Sequence, residues 1–84
     1  MDWKELREAR QRLRLTLEEA ATVLETDPST ISKIERDPAA SQARPAPARV
    51  AQLYTAYLSG WRPDNWPERV RAIEALDIRI NGER

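Results

Sequence analysis

Four side chains able to donate hydrogen bonds recur within one short stretch of the sequence, namely Ser29, Ser32, Lys33 and Arg36. At 3.6 residues per turn they fall on one side of a helix, while Ile31 and Ile34 fall on the other. Lysine and arginine bind anionic oxygens or the O6 and N7 acceptors of guanine, and serine hydroxyls both donate and accept. An ordinary solvated helix face has the same composition, so the elements that position these residues decide their chemistry.

Other kinds of chemistry are disfavoured by the residues that are missing. The 84-residue chain contains no cysteine and no histidine, which excludes disulfides, thiolate ligands and imidazole bases. No glycine-rich phosphate loop and no paired carboxylates stand out, so we expect neither an enzyme nor a cofactor or metal site. The 14 basic residues are balanced by 14 acidic ones, so a nucleic-acid partner requires the basic groups to cluster on one face.

Helix signals recur along the whole chain, whereas strand signals are nearly absent. Capping-box spacing begins the first helix at Asp2 and Glu5 and the second at Thr16 and Glu19. Apolar residues at helical spacing predict further helices towards the C-terminus. The predicted helices span about 2–13, 16–24, 28–36, 47–58 and 66–76. We therefore expect an all-α fold that forms a single domain over residues 1–84.

The third predicted helix has Asp27 as its N-cap and Pro28 at its first position. A proline-rich loop over 37–47 follows, and Gly60 is expected to stop the fourth helix. The fifth helix is predicted to bury Trp66, Val70, Ile73 and Leu76. The last residues, 77–84, alternate apolar and polar types, which fits a short strand or a frayed tail.

Two short helices joined by a turn of three or four residues meet the requirements of a helix-turn-helix. Small residues near the turn, Ala20 and Ala21, allow the two helix axes to approach. The run Leu15-Thr16-Leu17-Glu18-Glu19-Ala20-Ala21, followed by Ser29-Thr30-Ile31-Ser32-Lys33-Ile34, resembles the lambda-repressor-like family of helix-turn-helix proteins, the Cro/cI or XRE type. The resemblance covers about residues 3–58 and follows the family register without a gap from Arg10 to Glu35.

The resemblance implies a five-helix domain whose third helix enters the major groove of DNA. It assigns four residues to the groove, namely Pro28, Ser29, Ser32 and Lys33. It places backbone phosphate at the start of the second helix, near Thr16 and Leu17, and near Arg44 in the loop before the fourth helix. It also implies a buried ion pair between Arg10 and Glu35, and buried charges do need such partners.

Several neighbouring residues have roles that the sequence leaves open. Arg36 is expected to contact phosphate, which positions a protein without reading sequence. Thr26 and Thr30 either contact phosphate or stabilise the turn. Glu25 occupies a turn position where the family usually has glycine, so a positive φ there would cost about 1 kcal/mol. Leu17 stands where relatives often carry a polar side chain that contacts DNA.

Three classes of function compete for this chain. The resemblance favours a transcriptional regulator of phage or bacterial type, most often a repressor, that binds an inverted-repeat operator as a homodimer with two helices about 34 Å apart. The helix at 66–76 is one candidate dimer surface. The alternative is an antitoxin-like or protein-interaction module whose segment 61–84 holds a partner protein. An enzyme is the third class and is disfavoured; without a signal peptide or membrane span, we expect a cytoplasmic protein.

Overall fold

The computed structural model describes the backbone of residues 1–82 and the side chains of residues 1–77. Its regular structure consists of five helices: α1 (Trp3–Arg12), α2 (Leu17–Val23), α3 (Pro28–Ile34), α4 (Ala48–Leu58) and α5 (Glu68–Gly82). No strand occurs within residues 1–82. The predicted all-α class with five helices is confirmed.

Side-chain caps begin the first three helices at the residues that the sequence indicated. The Asp2 carboxylate accepts a hydrogen bond from the Glu5 N–H at 2.8 Å. The Thr16 hydroxyl accepts from the Glu19 N–H at 3.1 Å, and the Glu19 carboxylate accepts from the Thr16 N–H at 3.0 Å. The Asp27 side chain caps α3 by accepting from the Thr30 N–H, without a reciprocal bond. Each cap satisfies N–H groups that the helix cannot, so these short helices begin at fixed residues.

Three helices, α1, α2 and α4, are each followed by a residue with left-handed backbone. These residues are Arg14 (φ 61°), Glu25 (φ 57°) and Gly60 (φ 109°). In each case the N–H of the left-handed residue and the N–H of the next one bond back to carbonyls of the last turn. Gly60 thus ends α4 as predicted. Arg14 and Glu25 adopt the same geometry with a Cβ, which costs each about 1 kcal/mol relative to glycine.

Replacement of Glu25 by glycine is therefore expected to raise the free energy of unfolding by about 0.5–1 kcal/mol. The change removes the Cβ strain, and it also removes an exposed ion pair with Arg49 that carries little energetic weight. Glu25→Ala is the matched control, because it loses the same ion pair and keeps the Cβ. In urea unfolding followed by circular dichroism, Glu25→Gly should have a higher free energy of unfolding than both the wild type and Glu25→Ala. Equal stability of the two variants would contradict the strain argument.

The hydrophobic core forms around α2 and α3, which pack side by side, while α1 packs against α4. On α2, Ala20 and Ala21 are 0% and 3% exposed, so their small side chains permit the close approach of α3. Ile31 and Ile34 face inward from α3. The main contributions of α1 and α4 are Leu6, Ala9, Val50, Tyr54 and Tyr57. The outer side of α3 remains available to solvent.

The segment after α4 packs against the hydrophobic core through the first half of α5 and the residue Trp66 that precedes it. Trp66, just before α5, and Val70 within it are buried. The Arg62 guanidinium donates to the Glu74 carboxylate at 3.0 Å, and this hydrogen bond holds the pKa of Glu74 below its ordinary value. The pair therefore stabilises the fold above that ordinary pKa, and the contribution is lost as the pH falls through the lowered one.

The C-terminal helix differs from the prediction at both ends. It begins at Glu68 rather than 66 and continues to Gly82, so the predicted strand or tail is wrong as far as residue 82. Residues 83 and 84 lie outside the described part of the chain. Alternation over a few residues fits part of a helix as well as a strand, and a strand also needs a partner strand to be stable.

Leu76 was predicted to be buried, and it is instead 55% exposed. The reason lies in the side of α5 that faces the core. Val70 and Asp77 share that side at a spacing of seven residues, whereas Leu76 lies about 120° around the helix from Val70. The sequence spacing of apolar residues indicated a wider buried stripe than the short docked segment provides.

Candidate nucleic-acid interface

The helices α2 and α3 form a fixed pair joined by residues 24–27. Ile31 of α3 is fully buried in the same core cluster as Ala20 and Ala21 of α2. The Thr26 N–H donates to the Ala21 carbonyl at 2.8 Å, which closes the last turn of α2. The orientation of α3 is therefore set by packing on one side and by backbone hydrogen bonds at the turn.

The outer side of α3 carries the four residues that the sequence assigned to a DNA groove. Pro28 and Ser29 are exposed at its first turn. Ser32 and Lys33 follow on the same helix and are half-buried. A hydroxyl pair and an ammonium group are thus presented together from a seven-residue helix. Such groups match the donors and acceptors that base edges offer in the major groove.

The two threonines of the turn have different surroundings. The Thr30 N–H and hydroxyl both donate to the Asp27 carboxylate, at 2.9 and 3.0 Å. These hydrogen bonds also lower the pKa of Asp27. The Thr30 hydroxyl therefore serves the cap of α3 and has no proton left for a phosphate. Thr26 is exposed, and its hydroxyl has no acceptor among the described residues.

Two arginines lie beyond the end of α3. Arg36 follows Glu35, which leaves helical geometry at φ −95° and ψ 18°, so the helix ends two residues before the predicted boundary. The Arg36 guanidinium donates to the Ser41 carbonyl at 3.3 Å. The Arg44 N–H donates to the Lys33 carbonyl at 3.2 Å, which ties the following loop to the last turn of α3. The Arg44 side chain is exposed, and its backbone is held at the C-terminal end of α3.

The start of α2 is also exposed. The Thr16 hydroxyl, as the N-cap, accepts from the Glu19 N–H, while its own proton has no acceptor within the described residues. Leu17 is 36% exposed. Arg69 donates to the Glu19 carboxylate at 2.6 Å and lowers its pKa, so this acidic group is compensated rather than free to repel an anion. Glu18 remains exposed beside it.

Arg10 and Glu35 form the ion pair implied for them, and it links α1 to the end of α3. Two parallel hydrogen bonds of 2.7 and 2.9 Å join the guanidinium to the two carboxylate oxygens. Their side chains are only 16% and 5% exposed. The Glu35 hydrogen bond raises the pKa of Arg10 above its ordinary value. This ion pair fixes the C-terminal end of α3 to α1.

A comparison with known families matches residues 4–60 to a helix-turn-helix domain. The match covers more than half of the chain. The chain belongs to the Cro/cI-like helix-turn-helix family. Proteins of this family are DNA-binding regulators. No curated protein and no solved structure matches the chain.

Several side chains that support the helix-turn-helix unit escaped the sequence analysis. Arg49 of α4 donates to the Leu24 carbonyl at 3.2 Å and to the Glu25 carboxylate at 2.7 Å, so it braces the turn between α2 and α3. Asn65 donates to the Thr22 carbonyl at 3.1 Å. These partners are 24 to 43 residues apart, and no local pattern relates them.

The charges of the helix-turn-helix protein are unevenly paired, although their sum is zero. Ion pairs within residues 1–77 engage Arg10, Arg14, Arg49, Arg62 and Arg69. Lys33, Arg36 and Arg44 have no acidic partner in this part of the chain. Lys4, Arg7, Arg12 and Arg71 form no ion pair there either, and Asp27 and Asp37 flank α3. The surface beside α3 therefore carries unpaired basic groups, as a polyanion partner requires, together with two carboxylates.

The described structure supports neither a metal site nor a membrane-spanning helix. Among residues 1–77 no group of acidic side chains is arranged to hold a metal ion. None of the described helices is both long enough and apolar enough to cross a bilayer.

Proposed function

We propose that this protein is a sequence-specific DNA-binding regulator of transcription that inserts α3 into the major groove. The observation that carries the proposal is the division of α3 into two sides. Ile31 and Ile34 anchor the inner side, while Ser29, Ser32 and Lys33 offer polar groups on the outer side. A helix held in this way presents its donors in one orientation, as recognition of base edges requires.

The residues at the interface divide by role. Lys33 donates to guanine O6 or N7, and Pro28, Ser29 and Ser32 contact the groove beside it. Phosphates bind the remaining candidates, which are Thr16, Leu17, Thr26, Arg36 and Arg44. We assign Thr30 to the turn, because its hydroxyl is committed to Asp27. Phosphate contacts set the register of the protein on DNA, and Lys33 contributes most of the sequence preference.

The proposed binding mode is a homodimer on an inverted repeat, acting as a repressor. Two copies of α3 would then lie about 34 Å apart, one turn of DNA. α5 is the proposed dimer surface, since Leu76 is 55% exposed on it and Trp61, in the segment between α4 and α5, is 53% exposed. Large apolar side chains that stay in water in one copy are the type that an interface buries.

Selection of bound sequences from a random DNA pool tests the regulator directly. We expect one inverted repeat from the wild type. Lys33→Ala should relax the preference at one position of each half-site and cost about 1–3 kcal/mol of discrimination. Arg44→Ala should instead weaken binding to all sequences and reduce the salt slope by about 1. Arg12→Ala, which removes a charge from the exposed end of α1, is the matched control and should behave as the wild type.

Recovery of no enriched sequence at moderate salt would contradict this function. The same holds if Lys33→Ala and Arg12→Ala select the identical motif with equal affinity, because α3 would then not read the bases. A selected motif without inverted symmetry would still support a sequence-specific regulator, but it would contradict binding as a homodimer to an inverted repeat.

The dimer surface has its own test in analytical ultracentrifugation. Leu76→Glu should raise the dimer dissociation constant at least about tenfold, since a charge would be buried at the interface. Gln52→Glu adds the same charge on the exposed side of α4 and serves as control. Equal dissociation constants for the two variants would show that α5 is not the interface.

A second candidate function, a protein-interaction module of antitoxin type, is favoured by the same exposed apolar residues. Leu76 and Trp61 both lie outside the matched segment 4–60. A stoichiometric partner protein that co-purifies with the wild type and is lost with Leu76→Glu would establish this role. It is compatible with DNA binding through α3.

A further inference from the structure

A groove of about 420 Å³ lies between the start of α1 and the loop that follows α3. Buried Leu6 and Ile34 form its base, and Trp3 and Ala43 stand on its two sides. This volume is within the range of pockets that hold small organic ligands, and such pockets combine a mostly apolar lining with a few polar groups. The groove therefore has the size and the lining of a small-molecule site.

The polar groups at this groove are predominantly cationic. Arg36 and Arg44 both line it, and neither has an acidic partner in the described part of the chain. Lys4 and Arg7 do not line the groove, but both lie within 5.5 Å of the Trp3 ring centroid and add positive charge near it. The acidic residue that lines the groove is Asp2, whose carboxylate is already occupied as the cap of α1.

We propose that this groove binds a small organic anion with an aromatic body. The ring would pack beside Trp3 over the apolar base, and the anionic group would meet the guanidinium groups of Arg36 and Arg44. Arginine suits this role because its planar fork pairs with carboxylate and similar oxyanions. A neutral ligand of the same shape would gain the apolar contacts and lose the charged hydrogen bonds.

Occupation of the groove would also oppose DNA binding. This consequence rests on the proposed function, in which Arg36 and Arg44 contact phosphates. One guanidinium cannot hold the ligand and a phosphate in the same geometry, so the two would compete. The site would then make regulation respond to a metabolite without any additional domain.

Nuclear magnetic resonance of the ¹⁵N-labelled full chain tests the site without DNA. The probes are indole-3-acetate and indole-3-acetamide, which share a ring and differ in charge. We expect indole-3-acetate to shift the indole N–H signal of Trp3 and the amide signal of Ala43, and to leave that of buried Trp66 in place. The acetamide should bind about tenfold more weakly, as expected for loss of a charge-assisted hydrogen bond.

Variants separate the groove from non-specific association. Arg44→Ala should weaken indole-3-acetate about tenfold and leave the acetamide unchanged. Ala43→Phe should obstruct both probes, and an unchanged Trp66 signal would show that each variant is folded. Equal affinity of the two probes, shifts centred on Trp61 and Trp66, or no shift at millimolar probe would each overturn the proposal.

A final measurement distinguishes this inference from the proposed function. Selected operator DNA, added to the protein saturated with indole-3-acetate, should displace the probe and reverse the Trp3 shift. If the probe binds and no DNA sequence is selected, the ligand site is supported and the proposed regulator function is contradicted. If the operator binds and the probe stays, the competition is overturned.

Discussion

Replacement of Glu35 by alanine should lower the free energy of unfolding by about 3–5 kcal/mol. The loss is large because the guanidinium of Arg10, only 16% exposed, would stay in the protein without its carboxylate. The wild-type pair satisfies that guanidinium with two hydrogen bonds at 2.7 and 2.9 Å. Urea unfolding at neutral pH, followed by circular dichroism, provides the measurement.

The control for this change is Asp77→Ala. Asp77 forms an ion pair with Arg14 in which both side chains are close to half exposed, so its removal should cost at most about 1 kcal/mol. Where Glu35→Ala leaves too little structure to measure, the double variant Arg10→Met with Glu35→Leu should restore a cooperative transition, since neither charge then remains buried. A cost for Glu35→Ala no greater than that for Asp77→Ala would contradict this account.

The second large effect is expected at Trp66, where alanine should cost about 3–5 kcal/mol. Trp66 is 3% exposed, and its ring lies edge-on to Tyr57 at a centroid distance of 5.1 Å. Its indole N–H donates to the Glu74 carboxylate at 2.8 Å, and the Arg62 guanidinium lies 4.4 Å from its ring centroid. Removal of this side chain would take away both the packing and the polar contacts that attach α5.

Trp61→Ala is the matched control for Trp66. Trp61 stacks on the same Tyr57 ring at 5.7 Å and an interplanar angle of 10°, yet it is 53% exposed. We expect its loss to cost about 1 kcal/mol. Similar costs for the two variants would mean that α5 is held by something other than the buried indole.

The same experiment tests whether residues 1–84 fold as one domain. If they do, Trp66→Ala should shift a single transition, and the indole fluorescence and the circular dichroism should change together. Two separate transitions in the wild type would assign the segment after residue 60 to an independent unit. The matched family segment, 4–60, ends before that segment begins.

Local chemistry made the first half of the fold predictable. The side chains of Asp2, Thr16 and Asp27 each lie three residues before the N–H group that they satisfy, so the sequence alone located these helix starts. The resemblance marked Glu25 as the turn position where the family usually has glycine, and the backbone there is left-handed. The resemblance to a known family supplied the pairing of Arg10 with Glu35.

The contacts of α5 could not be predicted in this way. Arg69 reaches Glu19 across 50 residues, and no spacing rule relates their positions. Leu76 was assigned to the core because helical periodicity indicates a stripe but does not indicate how much of it finds a neighbour. The same limit applies to the groove beside Trp3, which exists only because the loop after α3 passes over the start of α1.

The inner and outer sides of α3 consist of separate residues, and this separation affects how the sequence of such a protein can diverge. Ile31, Ile34 and the Asp27–Thr30 cap maintain the helix, whereas Ser29, Ser32 and Lys33 take no part in the core. If α3 reads base edges as proposed, exchange of the second set would change the preferred operator at little cost in stability. New specificities would then be accessible by single substitutions in a protein that stays folded throughout, and a gene duplicate could acquire its own target in a few steps.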